Sequence, residues 1–234
     1  MLKGDLRKKQ ILETAEKMFC RDGYEKTSVQ DILDALHLSK GSFYHHYESK
    51  EVLLAFICEK RAQASAEEQK DHGGVLTGIA AVDRTLSAMI PFNGAGLAFL
   101  KMIMPVFLLP EGRSVRDRYQ HALKEAFFPI LMEAFDGAVA GREIFCENAE
   151  FTAGVCLDLV NDMWCALSEQ MLKRLDEDGG TAAPGELLET VEQYRGVLEK
   201  VLTAPYGSLR LIGMEDLDRL NTEISDLSAK KLSK

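Results

Sequence analysis

Apolar residues recur at helical spacing along almost the whole chain. The first such segment, residues 5–21, carries apolar side chains at intervals of three and four residues, which is one face of an α-helix. These side chains are Ile11, Leu12, Ala15, Met18 and Phe19. Gly23 follows, as glycine commonly does just past a helix C-terminus. No alternation of apolar and polar residues typical of a half-buried strand stands out, so the pattern predicts an all-α protein.

Two short helical patterns follow, joined by a tight connection. Thr27 is a candidate N-cap, and Gln30 stands three residues later, the arrangement of a capping box. An apolar stripe at helical spacing comes next, consisting of Val29, Ile32, Leu33 and Leu36. Ser39 is a second candidate cap, and Phe43 and Tyr47, four residues apart, can anchor one face of the helix that begins there. Together these signals predict a helix-turn-helix.

The remaining side chains of residues 39–47 suit a polyanion. They are a cation, hydroxyls, a phenol and imidazoles, and no carboxylate occurs before Glu48. Such a helix is suited to the major groove of DNA, so we interpret residues 39–47 as a recognition helix. In isolation the same side chains would more often form an ordinary polar surface. The adjacent His45 and His46 face different directions on a helix, which disfavours a metal site.

Glycine and proline separate the later helical segments. Ser49 is a candidate cap for a fourth helix, which continues through residues 59–70 and buries Val52, Leu53, Phe56 and Ile57. The His-Gly-Gly break at residues 72–74 predicts a domain boundary. The further predicted helices are 75–90, 97–104 ended by Pro105, 115–140 kinked at Pro129, 147–177, 184–202 and 209–227.

Charge is distributed unevenly along the 234 residues. The formal net charge is −9, which on its own argues against a nucleic-acid partner. Residues 1–61 contain 11 Lys and Arg against 10 Asp and Glu, a net charge of +1, and the remaining residues carry −10. The acidic excess therefore lies outside the helix-turn-helix. A nearly neutral helix-turn-helix can still bind DNA if its cations cluster on one face.

The other composition features indicate a cytoplasmic protein. The five cysteines form no C-x-x-C pair and follow no signal peptide, so we expect reduced thiols in the core, with a redox sensor as the minor alternative. The most apolar run, residues 96–110, is interrupted by Lys101 and Pro105, whereas a membrane span needs about 18 or more apolar residues. No nucleophile elbow, H-E-x-x-H or zinc spacing is present, so we expect no enzyme, no cofactor and no metal site.

Residues 7–57 resemble the TetR family of bacterial repressors. The resemblance covers about a fifth of the chain and is specific, because many positions agree in order and spacing. The matching motifs are Ile11-Leu12-x-x-Ala15-x-x-x-Phe19, Gly23-Tyr24-x-x-Thr27-Ser28-Val29, Ile32, Ala35-Leu36, Ser39-Lys40-Gly41-Ser42-Phe43-Tyr44-His45-His46-Tyr47 and Ser49-Lys50-Glu51-x-Leu53.

The resemblance implies an all-helical homodimer. Residues 1–60 would form a three-helix DNA-binding domain, and residues 61–234 a larger helical domain that binds a small-molecule inducer and dimerises. Thr27 and Ser28 would hold phosphates, and Lys50 would clamp the DNA backbone. Recognition-helix residues would enter the major groove and contact bases and phosphates: Ser39, Lys40, Gly41, Ser42, Tyr44, His45 and His46.

Aromatic and methionine side chains of the larger part are the candidates for an inducer pocket. Such side chains suit an adaptable apolar cavity, although most of them are expected to pack the core. The candidates are Phe99, Met102, Phe107, Phe128 and Trp164. The function expected is that of a ligand-responsive transcriptional repressor bound to double-stranded DNA. The alternatives are a transcriptional activator, or a non-enzymatic small-molecule-binding protein that keeps the helix-turn-helix as structure.

Overall fold

The computed structural model describes residues 3–71, 76–91, 96–177, 184–220 and 222, and within them the chain is helical with no β-strand. The helices are α1 (Lys3–Asp22), α2 (Val29–Leu36), α3 (Lys40–Tyr44), α4 (Lys50–Asp71), α5 (Ile79–Ala88), α6 (Gly96–Leu108), α7 (Arg113–Ala140), α8 (Ala149–Glu177) and α9 (Pro184–Val201). A 3-10 helix, Pro110–Gly112, precedes α7, and residues 214–220 are also helical. The all-α prediction is confirmed.

The helices form two compact units. One comprises Met1–Ala62 with Ala98–Ala122, and the other comprises Gln63–Leu97 with Leu123–Lys234. The helix-turn-helix lies in the first unit, and α8 and α9 lie in the second. The boundary expected at residues 72–74 lies outside the described residues. The assignment of DNA binding to residues 1–60 and of ligand binding to residues 61–234 stays a prediction.

Most predicted helices are found within a few residues of their expected ends, but the prediction that Pro105 ends a helix is wrong. Helix α6 continues through Pro105 to Leu108. A proline inside a helix removes one backbone hydrogen bond. Pro105 itself is exposed. Helix α7 likewise contains Pro129, and the kink expected there stays a prediction.

The core of the first unit joins the helix-turn-helix to α1 and α4. Ile11, Ala15 and Phe19 of α1 are fully buried, as are Leu53 and Ile57 of α4. The apolar stripes predicted from the sequence therefore face the interior for the most part. The exceptions, which are half-buried, are Met18 of α1, Val29 and Leu36 of α2, and Val52 and Phe56 of α4.

Two carboxylates of the second unit accept hydrogen bonds from distant backbone. Glu143 accepts from the N–H of Ile79 at 3.1 Å, at the start of α5. The preceding Gly78 has φ +63° and no room for a Cβ beside the Glu143 carboxylate. Asp83 accepts from the N–H groups of Arg210 and Leu211 at 2.8 and 2.9 Å. These contacts supply the partners that a helix start and a turn cannot provide locally.

All five cysteines are free thiols, as expected from the sequence. Cys58 and Cys156 are fully buried, and burial raises the pKa of the Cys156 thiol to about 12. A thiol with a raised pKa is a poor nucleophile, so these two cysteines act as core residues. In the described parts of the chain, no helix has the length and apolar character needed to cross a membrane.

Candidate nucleic-acid interface

Helix α2 is capped by Ser28, and the prediction that Thr27 and Gln30 form the capping box is wrong. The Ser28 hydroxyl accepts from the N–H of Asp31 at 3.2 Å, and the Asp31 carboxylate accepts from the N–H of Ser28 at 2.7 Å. Thr27 is buried and its hydroxyl donates to the carbonyl of Gly23 at 2.9 Å. Because the turn after α1 already uses the Thr27 hydroxyl, the capping box forms one residue later.

The turn between α2 and α3 is set by His37. This residue has φ +53°, a left-handed conformation that costs a non-glycine residue roughly 1 kcal/mol. This conformation allows the N–H of Leu38 to donate a hydrogen bond to the carbonyl of Leu33 at 2.9 Å. This backward hydrogen bond is typical of a helix C-terminus and reverses the chain within two residues.

The recognition helix is shorter than residues 39–47. The Ser39 hydroxyl accepts from the N–H of Ser42 at 3.3 Å, as expected for a cap, and α3 then spans Lys40–Tyr44. The N–H groups of His46 and Tyr47 both donate to the carbonyl of Phe43, and the His46 bond spans only three residues, so the chain tightens into a turn after Tyr44. His45 and His46 therefore lie in a tight turn at the end of α3.

Phe43 and Tyr47 anchor this segment, as predicted. Phe43 is fully buried, and the Tyr47 ring lies 5.9 Å from it between ring centroids. The Tyr47 hydroxyl donates to the carbonyl of Lys8 on α1 at 3.1 Å, and its ring lies 5.5 Å from that of Phe56 on α4. Contacts with both α1 and α4 thus fix how α3 is presented.

The opposite side of α3 faces outward. Lys40 and His45 are exposed, and 56% of Tyr44 is accessible although its ring contacts Phe43. A Cβ added to Gly41 would meet only the Ser39 hydroxyl, at 3.9 Å, and Gly41 does not have positive φ. Neither packing nor backbone geometry within the chain requires glycine here. A partner surface that approaches the helix closely from outside would require a residue without a Cβ at this position.

Several basic side chains lie close together at the end of α3. The imidazoles of His45 and His46 lie 5.0 Å apart between ring centroids, and the positive charges of Lys8 and Arg7 on α1 also repel a protonated His46. Partial desolvation, followed by these neighbouring positive groups, lowers the pKa of His46 below its ordinary value. An anionic partner would offset this mutual repulsion and favour the protonated imidazole.

The ammonium of Lys50 is less available to DNA than the family resemblance implies, and that of Lys8 on α1 is also engaged within the protein. The Lys8 ammonium lies 4.5 Å from the ring centroid of Phe56. Lys50, half-buried at the start of α4, donates to the carbonyls of Tyr24 at 3.1 Å and Thr27 at 3.3 Å. No sequence motif signals these contacts, because donor and acceptor lie more than twenty residues apart.

Comparisons with known proteins agree with this geometry. Residues 11–57 match the family model described as bacterial regulatory proteins of the tetR family. The HTH-type transcriptional regulator YerO of Bacillus subtilis is 25% identical over 130 residues, which are 54% of this chain and 42% of YerO. The HTH-type transcriptional repressor AcnR of Corynebacterium diphtheriae is 31% identical over 68 residues, 29% of this chain and 36% of AcnR.

A solved structure extends the likeness to the larger part of the chain. A TetR-family transcriptional regulator from Mesorhizobium loti superposes with a TM-score of 0.55 at 12% identity, over 86% of this chain and 98% of that one. The chain contains a region of the tetR family of bacterial regulatory proteins, residues 11–57. It spans less than half the length of the two curated relatives described above, and likeness at 12% identity shows the fold alone.

The inducer-pocket candidates of this chain are distributed over both units. Phe99, Met102 and Phe107 lie in the first unit and are buried, whereas Trp164 is fully buried and Phe128 half-buried in the second. An open surface pocket of about 570 Å³ is lined by none of them. Its lining residues are Pro110, Glu111, Arg113, Ser114, Asp117, Arg118 and His121. The five candidates therefore stay predictions.

Proposed function

We propose that this chain is a ligand-responsive repressor that binds a near-palindromic operator as a homodimer and leaves it when a small molecule binds. The observation that carries the proposal is the outward face of α3, where polar side chains and a glycine are held on two buried aromatic anchors. The family supports the same function, and the AcnR relative is named a repressor.

Each side chain on this face has a chemical role toward DNA. Lys40 can donate to O6 and N7 of guanine, and the Ser42 hydroxyl can serve several bases. Gly41 allows the backbone to approach the base edges, while Ser39 at the helix start and Tyr44 contact phosphates and fix the register. His45 and His46 contact bases and phosphates beyond α3.

Phosphate also lies against the start of α2 in this proposal. Ser28 is exposed there, and the N-terminus of a helix presents N–H groups and a positive dipole end to an anion. Thr27 lies directly behind it with its hydroxyl donated inside the protein, so it orients the turn that Ser28 occupies.

Helices α8 and α9 are our candidates for the dimer interface. They pack together, with Gln170 donating to Thr190 at 2.8 Å and Arg174 donating to Glu186 at 2.9 Å. Phe151 on α8 is 72% exposed, and Val197 on α9 is 44% exposed. A second copy would cover these apolar side chains by forming a four-helix bundle across a two-fold axis.

Release requires the inducer to bind one conformation of the dimer better than the other. The inducer would favour a dimer whose recognition helices no longer match successive major grooves, and DNA affinity falls by that difference in binding free energy. Helix α4 is the candidate lever. Within the first unit, its Arg61 pairs with Glu16 of α1, and its Glu59 accepts from Arg118 of α7 at 3.0 Å.

Binding to the DNA upstream of the chain's own coding sequence tests the proposal. Operator affinity should fall steeply as salt rises from about 50 to 200 mM, because each phosphate contact releases counterions. Lys40→Ala should remove about 1–3 kcal/mol of preference for the operator over unrelated DNA. Lys26→Ala, which removes an exposed cation outside α3, is the matched control. Absence of a specific complex at low salt would favour a structural helix-turn-helix, and activation of transcription by the bound protein would favour an activator.

Sedimentation tests the dimer separately. Phe151→Asp should shift the protein toward monomer, because a carboxylate at a two-fold interface is both desolvated and repelled by its symmetry mate. Leu109→Asp is the control, since Leu109 is 45% exposed in the first unit. A thermal-shift screen of small molecules then identifies the inducer by the stabilisation that binding gives.

A further inference from the structure

The ammonium of Lys50 is committed to the interior of the protein. It donates to the carbonyls of Tyr24 at 3.1 Å and Thr27 at 3.3 Å, and it lies 4.1 Å from the centroid of the Tyr24 ring. Two hydrogen-bond acceptors and an aromatic face on one ammonium form a complete cation site. A phosphate would have to compete with all three groups.

These contacts fasten the turn between α1 and α2 to the start of α4. Tyr24 is buried, and its hydroxyl donates to Glu51 at 3.4 Å, next to Lys50 in the chain. Burial, followed by the nearby carboxylates of Glu51 and Glu25, raises the pKa of the Tyr24 phenol, so the phenol remains a donor. Lys50 and Glu51 thus hold the turn on both its backbone and its side chain.

The fastened turn leads directly into the DNA-facing part of the molecule. Thr27, whose carbonyl Lys50 binds, immediately precedes Ser28, the cap of α2. Any shift of that carbonyl therefore moves the capping residue and, with it, the start of α2 that the proposed function places on phosphate.

We propose that Lys50 is a positioning residue, which fixes the α1–α2 turn and the start of α2 for operator binding without itself neutralising a phosphate. This inference rests on the proposed function. It replaces the role of phosphate clamp that the family resemblance implied for Lys50, because the same ammonium cannot keep both carbonyls and also move to the DNA backbone.

The salt dependence of DNA binding separates the two roles. Lys50→Met keeps the length of the side chain and removes its charge. We expect operator affinity to fall roughly tenfold or more, the scale of one lost charge-assisted hydrogen bond. The slope of log affinity against log salt should match that of Lys26→Met, which removes an exposed cation from the same turn.

A phosphate clamp gives a different result. The slope would become shallower by about 0.9 for each subunit bound, because a cation that neutralises a phosphate has been removed. That result overturns the proposal, and so does unchanged operator affinity in Lys50→Met. A merely structural role would lower the melting temperature and leave both the affinity and the slope of the folded protein unchanged.

Lysine acetylation of the wild-type protein gives a test that needs no variant to fold. With acetic anhydride as the reagent and mass spectrometry as the readout, Lys50 should react several-fold more slowly than Lys26 in the free protein, because its ammonium is already bound. Operator DNA should leave the Lys50 rate unchanged. Fast reaction in free protein, or new protection by DNA, overturns the proposal.

The two tests also distinguish this inference from the proposed function. If the wild-type protein binds no DNA, the proposed function fails, while slow acetylation of Lys50 in the free protein would still support its contacts with the turn. If the wild type binds its operator and Lys50→Met changes only the salt slope, the proposed function stands and the positioning role fails.

Discussion

The caps of the helix-turn-helix and the turn at Arg210 and Leu211 in the second unit are held in different ways. In the first, each cap bonds a residue three positions away, as Ser28 does with Asp31 and Ser39 with Ser42. In the second, Asp83 binds backbone 127 and 128 residues further along the chain. Local signals can therefore specify the helix caps of a recognition surface from a short stretch, whereas the turn at Arg210 and Leu211 depends on a contact between distant segments.

Removing an anchor of the helix-turn-helix should have the largest effect. Phe43→Ala should cost about 3–5 kcal/mol of unfolding free energy, because it empties a fully buried site. The adjacent Tyr44→Ala should change stability little but weaken DNA binding. Urea denaturation and DNA titration of the two variants measure the contrast. Equal losses of stability would show that the two faces of α3 do not differ.

Breaking a distant contact in the second unit should have the next largest effect. Asp83→Ala leaves the N–H groups of Arg210 and Leu211 without their acceptor and should cost about 2 kcal/mol. The conformation of Leu211, with φ +56°, also depends on this support. Denaturation of Asp136→Ala, an exposed carboxylate on α7, gives the control. If Asp83→Ala lowers stability no more than Asp136→Ala does, the turn at Arg210 and Leu211 does not depend on Asp83.

A local cap should cost less. Ser28→Ala should lower stability by about 1 kcal/mol, while Gln30→Ala should cost only a few tenths through its contact with Asp34 at 2.7 Å. Ser65→Ala within α4 controls for the loss of a hydroxyl. A larger loss of stability in Gln30→Ala than in Ser28→Ala would indicate instead that Thr27 and Gln30 form the capping box.

The smallest effect is the titration of Asp31. The Ser28 hydroxyl, followed by the Ser28 N–H, lowers the pKa of this carboxyl below its ordinary value of 3.8. A lowered folded-state pKa means that the stabilisation is present above pH 3.8 and is lost as pH falls through the folded-state pKa. Carbon NMR of the carboxyl should show the pKa rising in Ser28→Ala. An unchanged pKa would contradict the cap geometry.

Sequence reasoning predicted the helices and the anchored face of α3, because periodicity and caps are properties of neighbouring residues. It misplaced the cap of α2, since Thr27 and Ser28 both offer a hydroxyl and only the buried turn decides between them. It also overextended α3, because the shared carbonyl of Phe43 has no sequence signature. The contacts of Lys50 and Asp83 depend on tertiary packing and had no local pattern to reveal them.

Amide hydrogen exchange of the wild-type protein, with and without an upstream DNA duplex, tests the central claim most directly. We predict that DNA slows exchange most strongly in residues 39–46 and at the start of α2, with α8 and α9 little changed. Protection confined to α8 and α9, or no protection of residues 39–46 in a stable complex, would contradict the claim that the outward face of α3 binds DNA.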